Sequence, residues 1–391
     1  MAQAAYLHDV GGILQGRRVT LTDVEEVSRY VARIGADLLD GFPQFASIAM
    51  IVRHCQTPYR ETKRLRLPAL DLSGIEKLLP KRLEPFAGRL SEVRPANPMA
   101  LADLIHLADS VSLMIRPDEP VLNQVPEIMK AVREGEGDRY APDAVRALEA
   151  LEDRERIWFD LAYNPDRILE EVLQEQIVGI ETTMQMAKLI SMIIDFRSPF
   201  TAMHSAGVAV SARELARLCG MNALECDMME IAGNLHDLGK IRTPAEILEK
   251  PGKLTDEEFN VVKEHAYFSD VLLSRVRGFE VIGKWAALHH EKLNGKGYPY
   301  HMKDDEIPIG AKIMAVADVF SAITEDRPYR KGMPGEKVRA ILRENAGRGE
   351  LSAGLVDLLI ENYDKVNVAR EKASHEAGRR YYRSMEKVED G

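Results

Sequence analysis

Histidines and carboxylates that could ligate metal ions are spread over the second half of the sequence. His236 and Asp237 are adjacent in a Leu-His-Asp-Leu-Gly-Lys stretch, and His289 and His290 form a second adjacent pair. Asp318 lies within an apolar run, where an ionised carboxylate is costly unless a cation or hydrogen bonds compensate it. Such imidazole and carboxylate groups, offered by several separate helices, are the donor set of a multi-metal site.

The donor types indicate which chemistry such a site supports. Neutral imidazole combined with carboxylate suits iron, manganese or zinc rather than calcium or magnesium alone. Two such ions a few ångströms apart can bind a phosphodiester between them and generate hydroxide at neutral pH. Each residue alone has a simpler explanation, because a single helical histidine is more often a hydrogen-bonded core or surface residue. The combination therefore carries the prediction of a hydrolase.

Composition bounds the class of protein. The chain has 391 residues, of which 45% are hydrophobic and 29% charged, so two or three domains can each bury a core. No apolar run approaches the roughly 20 residues of a membrane span, and the N-terminus lacks a signal-peptide pattern. Cys55, Cys219 and Cys226 show no Cys-x-x-Cys spacing. We expect a cytoplasmic bacterial-type protein with no membrane partner, and the formal charge of −10 argues against polymeric nucleic acid as a partner.

Helices must position these residues, because apolar residues recur at spacings of three and four and convincing strand alternation is absent. We expect an all-α fold. The predicted divisions are an N-terminal helical domain over 1–160, a connecting helix within 161–197, a C-terminal helical domain over 198–365 and a solvated or frayed charged tail over 366–391. The connector, which runs from about Asp166 to Ile194, is either a long packed helix or a coiled-coil-like signalling or dimer helix.

Capping signals predict helix ends in the second domain. Asn222 with Glu225, and Thr255 with Glu258, have the spacing of capping boxes. Gly239 is expected to end the helix that carries the adjacent histidine and aspartate.

The region from about 198 to 345 resembles the HD-GYP domain, the bacterial cyclic di-GMP phosphodiesterase branch of the HD superfamily. The motifs that carry the resemblance are, in order, Leu-His236-Asp237-Leu-Gly-Lys240, Lys250-Pro-Gly-Lys-Leu-Thr-Asp-Glu-Glu258, Lys263-Glu-His265, His289-His290-Glu291, Gly297-Tyr298-Pro299, Glu306-Ile-Pro-Ile-Gly310, Ala317-Asp318 and Asp326-Arg327-Pro-Tyr329-Arg330. So many ordered motifs make the match specific.

The resemblance implies roles for individual residues and two divalent metal ions, iron or manganese, as cofactors. One ion would be held by His204, His236, Asp237 and Asp318, and the other by His265, His289 and His290, with Asp237 bridging. Lys240 would contact the scissile phosphate, Arg327 and Arg330 would bind substrate phosphates, and Tyr298 would lie at the edge of the site. Asp237 and Lys240 are thus the expected catalytic residues.

Three positions depart from the family pattern. Phe200 stands where some members have a glutamate that binds a third metal ion, so we expect two ions. Leu293-Asn294 replaces the usual Trp-Asp, and Ser321 replaces an aspartate that commonly follows the position of Asp318 by three. None of these changes removes a ligand of the two-metal set.

The first half of the chain resembles a decayed copy of the same domain. The positions that echo the metal ligands are His8, Asp9, His54 and Asp109. Gly12 stands where the phosphate-binding lysine would be, so we expect this copy to have no catalytic activity and to serve in dimerisation, regulation or ligand sensing. An unrelated helical sensor domain is the alternative.

The resemblance implies hydrolysis of cyclic di-GMP to pGpG and/or GMP. Hydrolysis of 3′,3′-cyclic GMP-AMP and a non-catalytic cyclic-dinucleotide receptor or scaffold are the alternatives. The Gly-Tyr-Pro and Arg-Pro-Tyr-Arg segments argue against an HD-type mononucleotide phosphohydrolase. A homodimer and a diguanylate cyclase that contacts the Gly-Tyr-Pro loop are the further partners that the family suggests.

Overall fold

The chain folds into helices. The computed structural model describes residues 24–42, 45–65, 98–163, 178–195, 199–248, 250, 252–326 and 331–389. Within these ranges there is no β-strand, and only two isolated bridges occur, between Glu136 and Tyr140 and between Asn294 and Lys303. The all-α prediction is confirmed. Two compact units divide at Ile177 and Val178.

Seven helices form the described part of the first unit. They are α1 Val24–Asp40, α2 Ala46–His54, α3 Tyr59–Thr62, α4 Pro98–Met114, α5 Val121–Glu134, α6 Pro142–Glu149 and α7 Glu155–Tyr163. Helix α2 packs against α1 and α4. Met129 and Trp158 are fully buried in the core under α5 and α7, and the Trp158 indole donates to the Glu152 carbonyl at 2.9 Å, so its one polar atom is satisfied.

Ten α-helices form the described part of the second unit. They are α8 Ile180–Asp195, α9 Pro199–Leu218, α10 Ala223–Leu235, α11 Ala245–Leu248, α12 Asp256–Leu273, α13 Glu280–Ala287, α14 Ile309–Thr324, α15 Gly335–Gly347, α16 Ala353–Glu361 and α17 Tyr363–Glu389, with 3-10 helices at Leu238–Arg242 and Asp304–Glu306. Helix α9 lies at the centre, packed against α10, α14 and α17. A Cβ on Gly233 would lie 2.4 Å from the Ala209 Cα, so this glycine lets α9 and α10 approach closely.

Both predicted capping boxes form. The Asn222 side chain accepts from the Glu225 N–H at 3.0 Å, and the Glu225 carboxylate accepts from the Asn222 N–H at 2.8 Å. Thr255 and Glu258 make the same reciprocal pair at 3.2 and 2.7 Å. These bonds satisfy N–H groups that a helix leaves free at its start, and they fix where α10 and α12 begin.

The expected role of Gly239 was wrong. Helix α10 already ends at Leu235, and Gly239 lies inside the following 3-10 helix without a positive φ. A Cβ there would meet the His265 carbonyl oxygen at 2.0 Å. Gly239 therefore serves the close approach of the turn after His236 to α12, rather than termination of a helix.

The described part of the predicted connector packs into the second unit. Its described part, α8, begins at Ile180 after the non-helical Gly179, and Met184 and Ala187 are buried in the core of the second unit. The start predicted near Asp166 lies outside the described residues.

Over residues 366–382, where its side chains are described, the predicted solvated or frayed tail is instead a helix packed on one face. Helix α17 runs to Glu389 and presents a buried stripe at helical spacing, with Val366, Arg370, Ser374 and Tyr381 each at most 7% exposed. Ser374 donates to the Met203 carbonyl of α9 at 2.9 Å. The buried stripe is mostly polar or small, so it shows no apolar periodicity although it packs against α9.

Candidate metal centre

All seven predicted metal ligands lie in the second unit and converge from five places in the chain. They are His204 on α9, His236 and Asp237 after α10, His265 on α12, His289 and His290 after α13, and Asp318 on α14. Each is buried or nearly so. Their ligand atoms form three overlapping groups, in each of which the atoms lie within 4.8 Å of one another. The groups are His204, His236 and Asp318; His265, His289 and His290; and His236, Asp237 and His289.

The Asp237 carboxylate lies between the first two groups. One oxygen, Oδ2, is 3.1 Å from His236 Nε2, and the other, Oδ1, is 3.4 Å from His265 Nε2. A carboxylate that offers one oxygen to each side has the geometry required of a ligand shared by two neighbouring cations.

Hydrogen bonds fix the orientation of the imidazole rings. The Nδ1 atoms of His236, His265 and His289 donate to the carbonyl oxygens of the residues three positions earlier, at 2.7, 2.5 and 2.6 Å. A carbonyl can only accept, so Nδ1 carries a proton in all three rings. Burial lowers the pKa of His265 and His289, so their Nε2 atoms keep a lone pair and face the centre in the tautomer that binds metal. Burial opposes the charge of His236 as well, but Asp237 outweighs it and raises this pKa, so His236 must lose a proton from Nε2 before it binds an ion.

A second observation, the contact between two imidazole rings, also indicates that the site can bind a cation. His265 Nε2 and His289 Nε2 face each other at 3.5 Å. With both Nδ1 atoms protonated, two lone pairs oppose each other in a buried site, an arrangement that a cation between them would turn from repulsion into coordination.

His204 differs from the other histidines because a carboxylate holds its Nδ1. Glu325, at the end of α14, lies 3.0 Å from that nitrogen, and Asp318 Oδ1 lies 3.1 Å from Nε2. Burial alone would lower the pKa of His204, but Glu325 and Asp318 outweigh it and raise this pKa to about 10. An ion bound at Nε2 must displace a proton, and Glu325 would then still orient the ring.

The second histidine group is uncharged. Burial is the main reason that the pKa of His290 falls to about 3. Burial likewise lowers the pKa of His265 and, strongly, that of His289. These three imidazoles are neutral at pH 7 and can bind a metal ion without first losing a proton.

Lys240 is paired with the shared carboxylate. Its Nζ donates to Asp237 Oδ2 at 2.5 Å. Burial opposes the charge of both groups, yet the pKa of Lys240 is raised by Asp237, and that of Asp237 is held well below its usual range by His236 and Lys240. Both groups are therefore ionised at pH 7, and a fixed ammonium lies at the centre.

The Gly-Tyr-Pro loop is tied to the histidine pair. The Tyr298 ring lies 4.7 Å from the His290 ring between centroids. The buried Glu291 carboxylate accepts from the backbone N–H groups of Tyr300 and Met302 at 2.7 and 3.0 Å. Glu291 thus anchors the loop that carries Tyr298 directly after the ligand His290.

Glu325, Glu291 and Asp195 are not among the residues with a predicted role. Glu325 follows Asp318 by seven residues, two helical turns, a spacing that could have placed both on the same face. Asp195, the last residue of α8, is buried, and its Oδ1 has no hydrogen-bond partner among the described residues. Burial raises the pKa of Asp195, and no sequence pattern marked this position.

Several predicted residues are not brought into this centre. Arg327, Arg330, His8 and Asp9 lie outside the described residues. Asp109 of the first unit accepts from Gln56 at 2.7 Å, and His54 ends α2. Among the residues that the structure describes, all candidate metal-ligand groups belong to the second unit.

The chain is similar to known proteins. The HD domain family matches residues 188–351. A 3′3′-cGAMP-specific phosphodiesterase of Vibrio cholerae serotype O1 is 31% identical over 339 residues, which cover 84% of this chain and 72% of that protein. A cyclic di-GMP phosphodiesterase of Thermotoga maritima is 33% identical over 184 residues, which cover 46% of this chain and 50% of that protein.

A solved structure shares the fold. The crystal structure of a cyclic GMP-AMP-specific phosphodiesterase of V. cholerae gives a TM-score of 0.52 at 20% identity, over 93% of this chain and 86% of that one. The chain is an HD-domain phosphohydrolase. Within that superfamily it belongs to the HD-GYP cyclic-dinucleotide phosphodiesterases. No helix in the described ranges is both long and apolar enough to cross a bilayer.

Proposed function

We propose that the second unit hydrolyses a phosphodiester bond of cyclic di-GMP, giving pGpG and/or GMP, with two divalent metal ions. The observation that carries the proposal is the position of Asp237, which offers one carboxylate oxygen to each of two groups of buried ligands. Two divalent ions held by these residues would stabilise charge on the phosphate and activate a water.

Cationic side chains in and near the site could bind an anionic substrate. The ammonium of Lys240 is fixed beside Asp237 and can contact the scissile phosphate, where it would stabilise the charge that develops in the transition state. Tyr298 closes one side of the site next to His290. Arg327 and Arg330 are proposed to bind the substrate phosphates.

Iron or manganese is the proposed metal. The set of five imidazoles and two carboxylates is too rich in nitrogen for calcium or magnesium. We propose two ions because two of the ligand groups share no residue with each other. Phe200 offers no carboxylate for a third ion. In our proposal His204, His236 and Asp318 hold the first ion, His265, His289 and His290 hold the second, and Asp237 bridges them.

A second candidate substrate is 3′,3′-cyclic GMP-AMP. The relative that is matched over 84% of this chain is named as specific for that nucleotide, whereas the match to the T. maritima cyclic di-GMP enzyme covers 46%. Similarity that extends into the first unit favours this alternative.

The test uses the full chain, purified with metal analysis and then reconstituted with Fe(II) or Mn(II). Cyclic di-GMP and 3′,3′-cyclic GMP-AMP are incubated separately, and products are separated by chromatography. We expect about two ions per chain and a linear dinucleotide product. Asp237→Ala, prepared in parallel, is the inactive control. A metal-loaded protein that binds but never cleaves either nucleotide would instead support the receptor or scaffold alternative.

Homodimerisation, contact of the Gly-Tyr-Pro loop with a diguanylate cyclase, and a regulatory role for the first unit stay predictions. Sedimentation of the purified chain and pull-down of a cyclase with a Gly-Tyr-Pro loop variant as control address the first two.

A further inference from the structure

An open cavity lies beside the metal centre, between helix α12 and the Gly-Tyr-Pro loop. Its volume is about 500 Å³, within the range of small-molecule sites. Helix α12 and the loop line it, through Asn260, Lys263, Glu264, Tyr267, Phe268 and Tyr298. None of these side chains belongs to the ligand set of the metal centre.

Helix α12 lines the cavity with one face and supplies His265 to the metal centre from another. Asn260, Glu264 and Tyr267 recur at spacings of four and three, so they form a stripe on one face of α12. His265 lies on another face of the same helix and is buried in the metal centre. The cavity and the centre are therefore held in a fixed relation by a single helix.

The ring of Tyr298 lies between the metal centre and the cavity. Tyr298 lies 4.7 Å from the His290 ring on one side and lines the cavity on the other. The Phe259 ring meets Tyr298 edge-on at 6.4 Å and extends the aromatic surface. A phosphodiester held near His290 would have its attached nucleoside within reach of this cavity.

Two aromatic side chains of this surface are exposed, although apolar groups of this size are normally buried. Phe259 and Tyr267 are 46% and 48% exposed. Cations lie over two of the rings: the Lys263 ammonium is 5.2 Å from the centre of Phe259, and the Arg242 guanidinium is 4.2 Å from that of Phe268. Exposed rings flanked by cations are the usual surface for stacking of nucleobases beside a phosphate.

We propose that this cavity binds one purine base of the cyclic dinucleotide, and that the base is guanine; this rests on the proposed phosphodiesterase function. The base stacks on the aromatic surface formed by Tyr267 and Tyr298. Lys263 donates to the acceptors O6 and N7, and the Glu264 carboxylate accepts from N1–H and N2–H. Adenine offers a single amino group to a carboxylate, so Glu264 is the residue that selects guanine.

The experiment compares steady-state kinetics of the metal-loaded full chain and of Tyr267→Ala. Loss of a stacking partner should raise KM for cyclic di-GMP roughly 5- to 150-fold with little change in kcat, because the base stays bound through the reaction. Turnover of methyl p-nitrophenyl phosphate, a phosphodiester without a base, should stay at the wild-type rate. Tyr382→Ala, which removes an exposed tyrosine of α17 that does not line the cavity, is the matched control and should leave both reactions unchanged.

Glu264→Gln tests the choice of base. It should raise KM for cyclic di-GMP and leave unchanged the concentration of cyclic di-AMP that half-inhibits turnover of the base-free diester, whereas a purely structural role would affect both alike. Wild-type KM for cyclic di-GMP in Tyr267→Ala would overturn the proposal. If the wild-type chain cleaves the base-free diester but no cyclic dinucleotide, the proposed function fails before this question arises, so the two failures are distinguishable.

Discussion

Removal of metal should make the stability of the second unit depend on pH through His204. This imidazole is 8% exposed and lies between Glu325 and Asp318, which raise its pKa to about 10, above the ordinary value of 6.5. A group whose pKa is raised by folding stabilises the fold fully below its unfolded pKa. That stabilisation is lost as pH rises toward the folded pKa.

The magnitude follows from the two pKa values. Their difference corresponds to about 5 kcal/mol at full extent, at about 1.4 kcal/mol for each tenfold change. Between pH 7 and pH 9 the linkage relation gives a loss of roughly 2–3 kcal/mol in the free energy of unfolding from His204 alone. His236, whose pKa Asp237 raises against the effect of burial, adds to this loss. Asp237 does not change the free energy of unfolding between pH 7 and pH 9. Its pKa is lowered, so its stabilising effect is already complete well below pH 7.

The assay is urea denaturation of the chelator-treated chain at pH 7, 8 and 9. The chain has two tryptophans, one in each unit, so Trp158→Phe leaves the fluorescence of Trp285 as a reporter of the second unit. Glu325→Gln is the comparison: the neutral amide no longer raises the pKa of His204, so stability should fall less between pH 7 and pH 9. Equal unfolding free energies at pH 7 and pH 9, or the same slope in Glu325→Gln, would refute the reasoning.

Four further results are expected. Asp237→Ala should lose bound metal and all turnover, measured by metal analysis and product chromatography, because it removes the carboxylate shared by both ligand groups. Lys240→Ala should keep the metal but lose roughly 10²–10³ in rate, the scale for one charge-stabilising donor, and full metal loss would show a structural role. Gly239→Ala should lower the free energy of unfolding by about 1–3 kcal/mol or more and weaken metal binding, since its Cβ would meet the His265 carbonyl; an unchanged melting curve would contradict this. Residues 166–391 alone should bind metal and retain some phosphodiesterase activity; an inert but metal-loaded fragment would show that the first unit contributes to the substrate site.

Features encoded by local spacing could be predicted from the sequence. The capping boxes at Asn222 and Thr255 depend on residues three apart, and both form as expected. The grouping of the ligands came from a family resemblance, which already contains tertiary information. Composition and periodicity alone gave only the all-α fold.

Features that depend on distant contacts could not be predicted in this way. Gly239 follows a helix end and so suggested a cap, whereas its role depends on α12, whose sequence lies well beyond it. The buried face of α17 contains Arg370 and Ser374, which no hydropathy pattern would assign to an interface. Glu325 bonds a histidine 121 residues earlier, so its role becomes visible only in three dimensions.

The packing of α17 on α9 has a consequence for how the protein is made. Ser374 bonds the carbonyl of Met203 across 171 residues, and a Cβ on Gly207, one turn after His204, would meet the Arg370 and Ser374 side chains. Synthesis proceeds from the N-terminus, so the helix that carries the first ligand emerges long before the helix that packs against it. A nascent chain that has reached residue 369 therefore contains every histidine of the centre but lacks the contacts of Arg370 and Ser374 with the helix that carries His204.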